Sequence, residues 1–599
     1  MRKALVLSFV VYMLWAVPAG AAEAALEPPE PAAVALVEVD DLAAFGLALQ
    51  TTLLEVHPRL MIPSPAAMVP ANWLMTTNPA SVDLSRPLQI VLTGAPPTAR
   101  PVFVFTAPDP AVYLDSLRPD LREQDSTDGL HHYVQWPFER DLPEDASGLS
   151  QVFIGTVGSR VCLGRREADV ESVRAMLEPG DLPADALPSG QAAAVVDVHG
   201  LLGKLKESGH DPFALMRQMA RNAPGTHLRN QQQVQAQIDT LEELAAQTSR
   251  LFVNVALEPD VVHVAGSVEP ILDSDFDSYL GSVPRERPAL AARLPGDAFA
   301  AFAGQIGDMD ILYEHWKDMT GLPGEELESA VRAWTDSAGP GVAFSLHATD
   351  AGPLAFAEVL ELRNPEEARA QMETLVAEMP ALLAAQTPGI TIEFDYASEA
   401  ATHDGVPIDR WSFTFEFEPQ AGRPAAEQVV QAQRAGAEAF WGEALTMHTA
   451  FHEDLYLVAG GPDGLARLKQ MIDGEADGGG AAEALERATG AMPEGAVMLG
   501  YLRLGEAVQW WMGVMRRVMR ASSAPVEVPQ FRFAPAPPIG VAGYVSDDWV
   551  AQVRLRVPTA AIASVTQGFM GGSVPGGQPP AGPRPEPVPM PPAEELPAQ

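Results

Sequence analysis

Two histidines four residues apart are the first residues of this 599-residue chain whose spacing could support chemistry. On a helix, His448 and His452 would share one face and could hold a metal ion between them. Zinc-protease helices carry a glutamate directly after the first histidine, but Thr449 stands at that place. The pair also runs into the apolar segment 455–458, which predicts a strand, and strand residues four apart lie too far from each other to share an ion. We therefore predict no metal site here.

A group of alternating aspartates resembles the opening of a calcium-binding loop. Asp273, Asp275 and Asp277 have the spacing of the first three carboxylate ligands in an EF-hand. Such a loop needs glycine at its sixth position and glutamate at its twelfth, and these positions hold Ser278 and Pro284. Because both the turn and the bidentate ligand are missing, the segment predicts an acidic surface loop.

Two further segments could carry chemistry but have simpler explanations. His131 and His132, followed by Trp136, fit a strand whose side chains alternate between solvent and core. The turn 460–464 follows a strand and opens a helix, where phosphates bind, but Pro462 removes a donor and no lysine follows as in a P-loop. No Gly-x-Ser-x-Gly elbow occurs. The sequence therefore predicts no catalytic residue, no metal and no cofactor.

A predicted helix at 508–520 is the candidate binding surface. Its apolar face is rich in tryptophan and methionine and ends in arginines, as adaptable binding surfaces and membrane-interface helices do. The candidate ligand-binding residues are Trp510, Trp511, Met512 and Met515. The alternative is a core helix whose arginines lie near its C-terminus, where the helix dipole favours cations. A similar run at 216–221 supports that alternative.

The N-terminus has the pattern of a secretory signal peptide over residues 1–22. Arg2 and Lys3 precede an apolar run at 4–17, and Ala19-Gly20-Ala21 matches a small-residue cleavage site. The run is shorter than the roughly 20 residues that span a bilayer, and no later stretch is long and apolar enough. We therefore expect export to the periplasm or the cell exterior, with an uncleaved anchor as the alternative.

The net charge narrows the possible partners, and the cysteine content excludes an internal disulfide. The chain has 39 basic and 79 acidic residues, a net charge of −40. Nucleic acids and anionic membrane surfaces would repel such a protein. The single cysteine, Cys162, cannot form an internal disulfide and is predicted to be a small buried hydrophobe in a strand. An exported chain without disulfides depends on its core, and the 47% hydrophobic content suffices to build one.

The order of predicted elements is repeated, which predicts two tandem-duplicated lobes at 23–290 and 291–560. A Pro/Gly turn, an apolar strand and a helix recur in 31–49, 187–205, 294–316 and 492–512. Asp109-Pro110 and Asn364-Pro365 each mark a helix start after a strand. The predicted fold class is α+β, each lobe being a mainly antiparallel curved sheet with helices packed on one face. The alternative of one continuous sheet stays open, and the Pro/Gly-rich tail at 561–599 is expected to be disordered.

The repeated segments, for example Leu294-Pro295-Gly296-Asp297-Ala298-Phe299, resemble those of exported bacterial proteins of unknown function. That resemblance implies no activity and no functional residues.

Three hypotheses follow from these observations. The leading one is an exported, soluble, non-catalytic protein that acts through binding or cell-envelope interactions, because the duplicated chain lacks a catalytic constellation. The alternative is a periplasmic carrier of a lipid or other apolar ligand, held between sheet and helices. The third is a hydrolase or metal-dependent enzyme, which would need His448 or the three aspartates to meet other polar groups in a cleft. The expected partner is thus a protein or an apolar small molecule.

Overall fold

The computed structural model describes most of the chain between residues 35 and 571. The described ranges are 35–56, 65–93, 101–135, 150–177, 191–209, 211–222, 228–311, 313–314, 325–349, 352–386, 390–417, 426–474, 480–521, 531–548 and 550–571. The predicted signal peptide at 1–22 lies outside the described residues.

Each half of the chain contributes ten described strands. In the first half they are β1 Ala35–Val39, β2 Leu88–Leu92, β3 Pro101–Thr106, β4 Leu121–Thr127, β5 Leu130–Gln135, β6 Ser150–Val157, β7 Arg160–Gly164, β8 Ala192–Asp197, β9 Thr248–Leu257 and β10 Val261–Pro270. In the second half they are β11 Ala300–Gln305, β12 Ala338–Ala348, β13 Leu354–Leu362, β14 Ile390–His403, β15 Val406–Phe417, β16 Ala444–His452, β17 Leu455–Gly460, β18 Met498–Leu502, β19 Ile539–Val545 and β20 Ala551–Pro558.

The strands form one continuous sheet, and every pairing among the described residues is antiparallel. From one edge inward, the first half has the order β4-β5-β6-β7-β3-β2-β1-β8-β9-β10. From the other edge inward, the second half has the order β14-β15-β16-β17-β13-β12-β11-β18-β19-β20. The halves meet where β10 pairs with β20, from Val261–Pro558 to Val268–Ala551. The predicted α+β class with a mainly antiparallel sheet is confirmed, and the continuous sheet is the alternative that the sequence left open.

Helices connect most of the strands. They are α1 Leu42–Val56, α2 Pro65–Asn72, α3 Pro110–Asp115, α4 Glu167–Leu177, α5 Val198–Glu207, α6 Pro212–Asn222, α7 Leu228–Ala246, α8 Asp275–Ser282, α9 Glu325–Ser337, α10 Pro365–Gln386, α11 Ala426–Trp441, α12 Gly464–Asp473, α13 Gly480–Thr489, α14 Leu504–Ala521 and α15 Thr559–Gly571. Among the described helices, none has the length and apolar character needed to cross a bilayer.

Helices cover both faces of the sheet, so the prediction of helices on one face is wrong. On β17, Tyr456 and Val458 point to one face, here called face A, and pack in a cluster with Met372 of α10. Leu457 of the same strand points to the opposite face, called face B, and packs in a cluster with Leu468 of α12. All six residues of β17 are buried, and a strand that is apolar at every position needs cover on both sides.

Two helix starts predicted from sequence are confirmed. The Asp109 carboxylate accepts hydrogen bonds from the amides of Ala111 and Val112, so it caps α3. The Asn364 side chain accepts from the Glu367 amide at 3.3 Å and donates to the Glu367 carboxylate at 2.8 Å, which caps α10. These caps satisfy backbone donors that the first helical turn leaves free.

The prediction that a disordered tail starts at residue 561 is wrong for residues 561–571. Residues 561–571 belong to α15, where Ile562 packs against the core cluster that contains Phe45 and Val557. The segment 559–571 forms a helix because it is rich in alanine and larger apolar residues and contains no proline. The remainder of the tail, 572–599, lies outside the described residues.

Candidate functional site

The two faces of the central strands differ in how well they are covered. On face B, residues such as Ala303, Ala343 and Leu499 are buried. On face A, their strand neighbours Phe302 and Phe344 are only half-buried. An apolar sheet surface is therefore partly open to solvent beneath the face A helices.

Cross-strand pairing aligns this open surface into two neighbouring rows. One row runs from β13 to β9 through Glu358, Phe344, Phe302, Gly500, Val541, Leu555, Val264 and Val255. The second runs through Leu360, Val342, Gly304, Met498, Gly543, Val553, Gly266 and Val253. Strands lie about 4.8 Å apart, so each row is about 34 Å long. The apolar residues of the two rows are called the apolar floor below.

The apolar floor is most open where the two halves of the chain meet. Val553 of β20 is 45% exposed, although valine is usually buried in a sheet. Its partner across the strand is Gly266, and a Cβ atom at Gly266 would meet only the Phe252 carbonyl oxygen, at 3.9 Å. The missing side chain leaves a depression beside an exposed valine.

Helix α14 carries the four predicted ligand-binding residues and lies on the same side of the sheet. It packs against α15, whose Ile562 belongs to a face A cluster. Trp510 is held by two contacts within the protein. Its indole N–H donates to the Gly352 carbonyl at 3.1 Å, and its ring centroid lies 5.0 Å from that of Phe440. Trp511 is 49% exposed, with its ring 6.4 Å from that of Phe440.

The remaining predicted residues on α14 are half-buried. Met512 and Met515 are neither sealed in the core nor fully exposed. Arg517 donates to the carbonyl oxygens of Gly352 at 2.7 Å and Ala439 at 2.9 Å, and burial together with nearby Arg516 lowers its pKa. The four predicted residues thus share one helix, but only Trp511 presents a large exposed ring.

A buried polar chain on face B resembles the relay of a serine nucleophile, and sequence reasoning missed it. The Ser345 hydroxyl lies 2.9 Å from Nε2 of His347, and His347 Nδ1 lies 2.6 Å from an Asp297 carboxylate oxygen, although that second pair falls short of hydrogen-bond geometry. Ser345 and His347 are both 0% exposed, so no substrate can reach the hydroxyl. The arrangement is therefore structural, unlike a catalytic triad.

These polar contacts link three segments that are distant in the sequence. Arg467 of α12 donates to the Asp297 carboxylate at 3.3 Å and to the Pro462 carbonyl at 2.7 Å. The contact with His347, helped by Arg467, holds the pKa of Asp297 well below its usual value. Asp297 lies in the turn before β11, which the sequence singled out only as a repeated Pro/Gly turn.

The structure brings together a histidine and two aspartates that the sequence analysis did not single out. His403 Nε2 lies 2.7 Å from an Asp473 carboxylate oxygen, and Asp404 adds a third ligand atom, all within 4.8 Å of one another. This surface group has the donor types for a divalent transition metal. His448 and His452 lie on strand β16 and not on a helix.

The aspartate segment begins helix α8, so the prediction of an acidic surface loop is wrong from Asp275 onward. Asp275 and Asp277 lie in the first turn of α8, where carboxylates complement the helix dipole. Ser274 caps that helix by accepting a hydrogen bond from the Asp277 amide at 3.1 Å. Asp277 in turn accepts from the Asp273 amide at 3.0 Å.

The contacts of His131, His132 and Cys162 fit structural roles in the sheet. His131 lies 2.9 Å from the Glu123 carboxylate across the β4–β5 hairpin, and the His132 ring stacks on Phe153 at 4.6 Å. Trp136 lies outside the described residues. Cys162 is buried, and burial raises the pKa of its thiol to about 12, as expected for an unreactive core cysteine.

Comparisons with known proteins do not add a functional assignment. No family model matches the chain, and no curated protein matches it. Among solved structures, crystal form III of TP0453 matches 46% of this chain and 96% of its own, with 8% identity and a TM-score of 0.21. Crystal form IV of TP0453 matches 48% of this chain and 98% of its own, with 10% identity and a TM-score of 0.20. Similarity at this level assigns neither a family nor an activity.

Proposed function

We propose that this protein is an exported, non-catalytic binding protein that holds an apolar ligand on its apolar floor. The observation that carries the proposal is the half-open face A of the central strands, with Val553 45% exposed beside Gly266. Soluble proteins rarely leave a contiguous apolar surface open unless it binds something.

The shape of the apolar floor favours an elongated ligand. Its two rows cross eight strands, and glycines interrupt the larger side chains, as at Gly500, Gly543 and Gly266. Contact with apolar surface is worth about 25 cal/mol per Å², so a long alkyl chain gains affinity from each row position that it covers. This supports the carrier hypothesis over an enzyme, since the relay-like group found among the described residues, at Ser345, is sealed on the opposite face.

The proposal includes an origin by tandem duplication. The same strand order in both halves supports a duplicated gene whose two products joined edge to edge through β10 and β20. A ligand surface at that junction would then be a feature of the joined protein and of neither half alone.

The proposal also includes cleavage of residues 1–22 and action in the periplasm or outside the cell, motivated by the positive start, short apolar run and small-residue site of the N-terminus. Edman sequencing of the mature protein tests this part. A start near residue 23 is expected, and a retained Met1 in the exported fraction would contradict cleavage.

Native mass spectrometry of protein purified from its own host's envelope tests the binding function. We expect a stoichiometric adduct with the mass of a lipid or another alkyl compound, released by organic solvent. Co-purification of a protein subunit on the surface around Trp511, without a small-molecule adduct, would replace this proposal with a protein-binding function.

A further inference from the structure

We infer that the ligand carries a cationic head group, a primary or quaternary ammonium, which binds at Glu358 while its alkyl chain lies along the apolar floor. This inference rests on the proposed function and specifies the ligand class of the same site.

The position of Glu358 sets it apart from its neighbours. It is the only charged residue in the two rows of the floor, and it lies at the β13 end. Its cross-strand neighbours are Phe344 on one side and Val458 on the other. Two residues away on the same face of β13 are Phe356 and Leu360, so a carboxylate interrupts an otherwise apolar surface.

The protein itself supplies little compensation for this carboxylate. Burial raises the pKa of Glu358, and in the part of the chain that the structure describes no basic side chain offsets the effect. An ionised carboxylate in apolar surroundings is costly without a counter-charge. Glu358 is half-buried and belongs to the face A row, so the inferred head group would approach it from that face.

The neighbouring rings favour a cation over other head groups. Phe344 pairs with Glu358 across the strands, Phe356 lies two residues away on β13, and their rings stack on each other with centroids 6.3 Å apart. Aromatic faces attract ammonium groups, and proteins recognise quaternary ammonium ligands with aromatic side chains. Anionic heads would meet Glu358 and a protein of net charge −40, which disfavours fatty acids.

The length of the floor matches such a ligand. Five strand spacings, about 24 Å, separate Glu358 from Val553. A hexadecyl chain that starts at Glu358 would cover Phe344, Phe302 and Val541 and reach toward Val553. One molecule could therefore contact both the Glu358 carboxylate and the open surface near Val553.

Displacement of the neutral fluorescent probe N-phenyl-1-naphthylamine tests the inference on the full chain. The competitors are hexadecyltrimethylammonium, hexadecyl maltoside and palmitate, each below its micelle-forming concentration. We expect the ammonium compound to bind about tenfold more tightly than the maltoside, and palmitate to bind more weakly than both. E358Q should reduce the ammonium-to-maltoside ratio to about one while the maltoside affinity stays unchanged, which also reports that the variant is folded.

The control variant and the alternative outcomes separate the two proposals. E416Q alters an exposed glutamate on β15 outside the floor, and it should leave the ratio unchanged. If all three compounds bind the wild type equally, or if E358Q keeps the ammonium preference, the cationic head is refuted while the apolar site stands. If no hexadecyl compound binds, the proposed function itself is refuted.

Discussion

Replacing Val553 by threonine should weaken ligand binding without destabilising the fold. Threonine keeps the size and β-branching of valine, so the strand conformation is retained. Because Val553 is 45% exposed, the substitution should change the free energy of unfolding by no more than about 0.5 kcal/mol.

The loss of affinity can be worked out from the exposed fraction. Fully burying a valine contributes about 1.5–3 kcal/mol, so covering the 45% that is exposed contributes about 1 kcal/mol. In V553T the ligand would instead cover a hydroxyl group without a partner, at a cost of about 1–3 kcal/mol. Affinity should therefore fall by about 5- to 150-fold.

Titration with N-phenyl-1-naphthylamine measures this change, and Val112 offers a matched control. Val112, in α3, is 46% exposed and lies outside the two rows of the floor, so V112T should leave the affinity unchanged. Equal affinities for V553T, V112T and the wild type would refute the placement of the ligand on the apolar floor.

Three further predictions follow from the same structure. Replacing Gly266 by leucine should fill the depression beside Val553 and abolish probe binding, while thermal stability stays constant or rises because glycine weakens a strand; retained binding would contradict the site. The pKa of Asp297 is lower in the folded chain than its ordinary value of 3.8, so the stability that it contributes is present above that pH and is lost as pH falls below about 4. Denaturant unfolding between pH 2 and 5 should show a shallower loss in D297N than in the wild type, and parallel curves would contradict this. Cys162 should react with Ellman's reagent only in denaturant, and rapid modification of the native protein would contradict its burial.

The elements that follow local rules could be predicted from the sequence. Asn364-Pro365 and Asp109-Pro110 begin helices because a cap and a proline act within one turn. The alternation from Trp411 to Phe417 indicates a strand with one buried face, and β15 has that pattern. The apolar run at 455–458 predicts a strand, and β17 spans Leu455–Gly460.

Features that depend on distant contacts could not be predicted. Which helices cover the two faces of β17, α10 on face A and α12 on face B, depends on contacts that its own residues do not specify. The contact of Asp297 with His347 and Arg467 joins residues as far as 170 positions apart. The exposure of Val553 depends on which part of the sheet the helices leave uncovered, and nothing within β20 encodes it.

The most direct test of the apolar floor is the position of a heavy atom on a bound alkyl chain. Crystals grown with 16-bromohexadecyltrimethylammonium would locate the bromine by anomalous scattering. We predict a bromine peak in contact with Val541 or Val553 and the ammonium group beside Glu358. A bromine on another exposed apolar surface, such as Leu215 and Met219 of α6, or a floor without any bound chain at saturating ligand, would contradict the proposed binding surface.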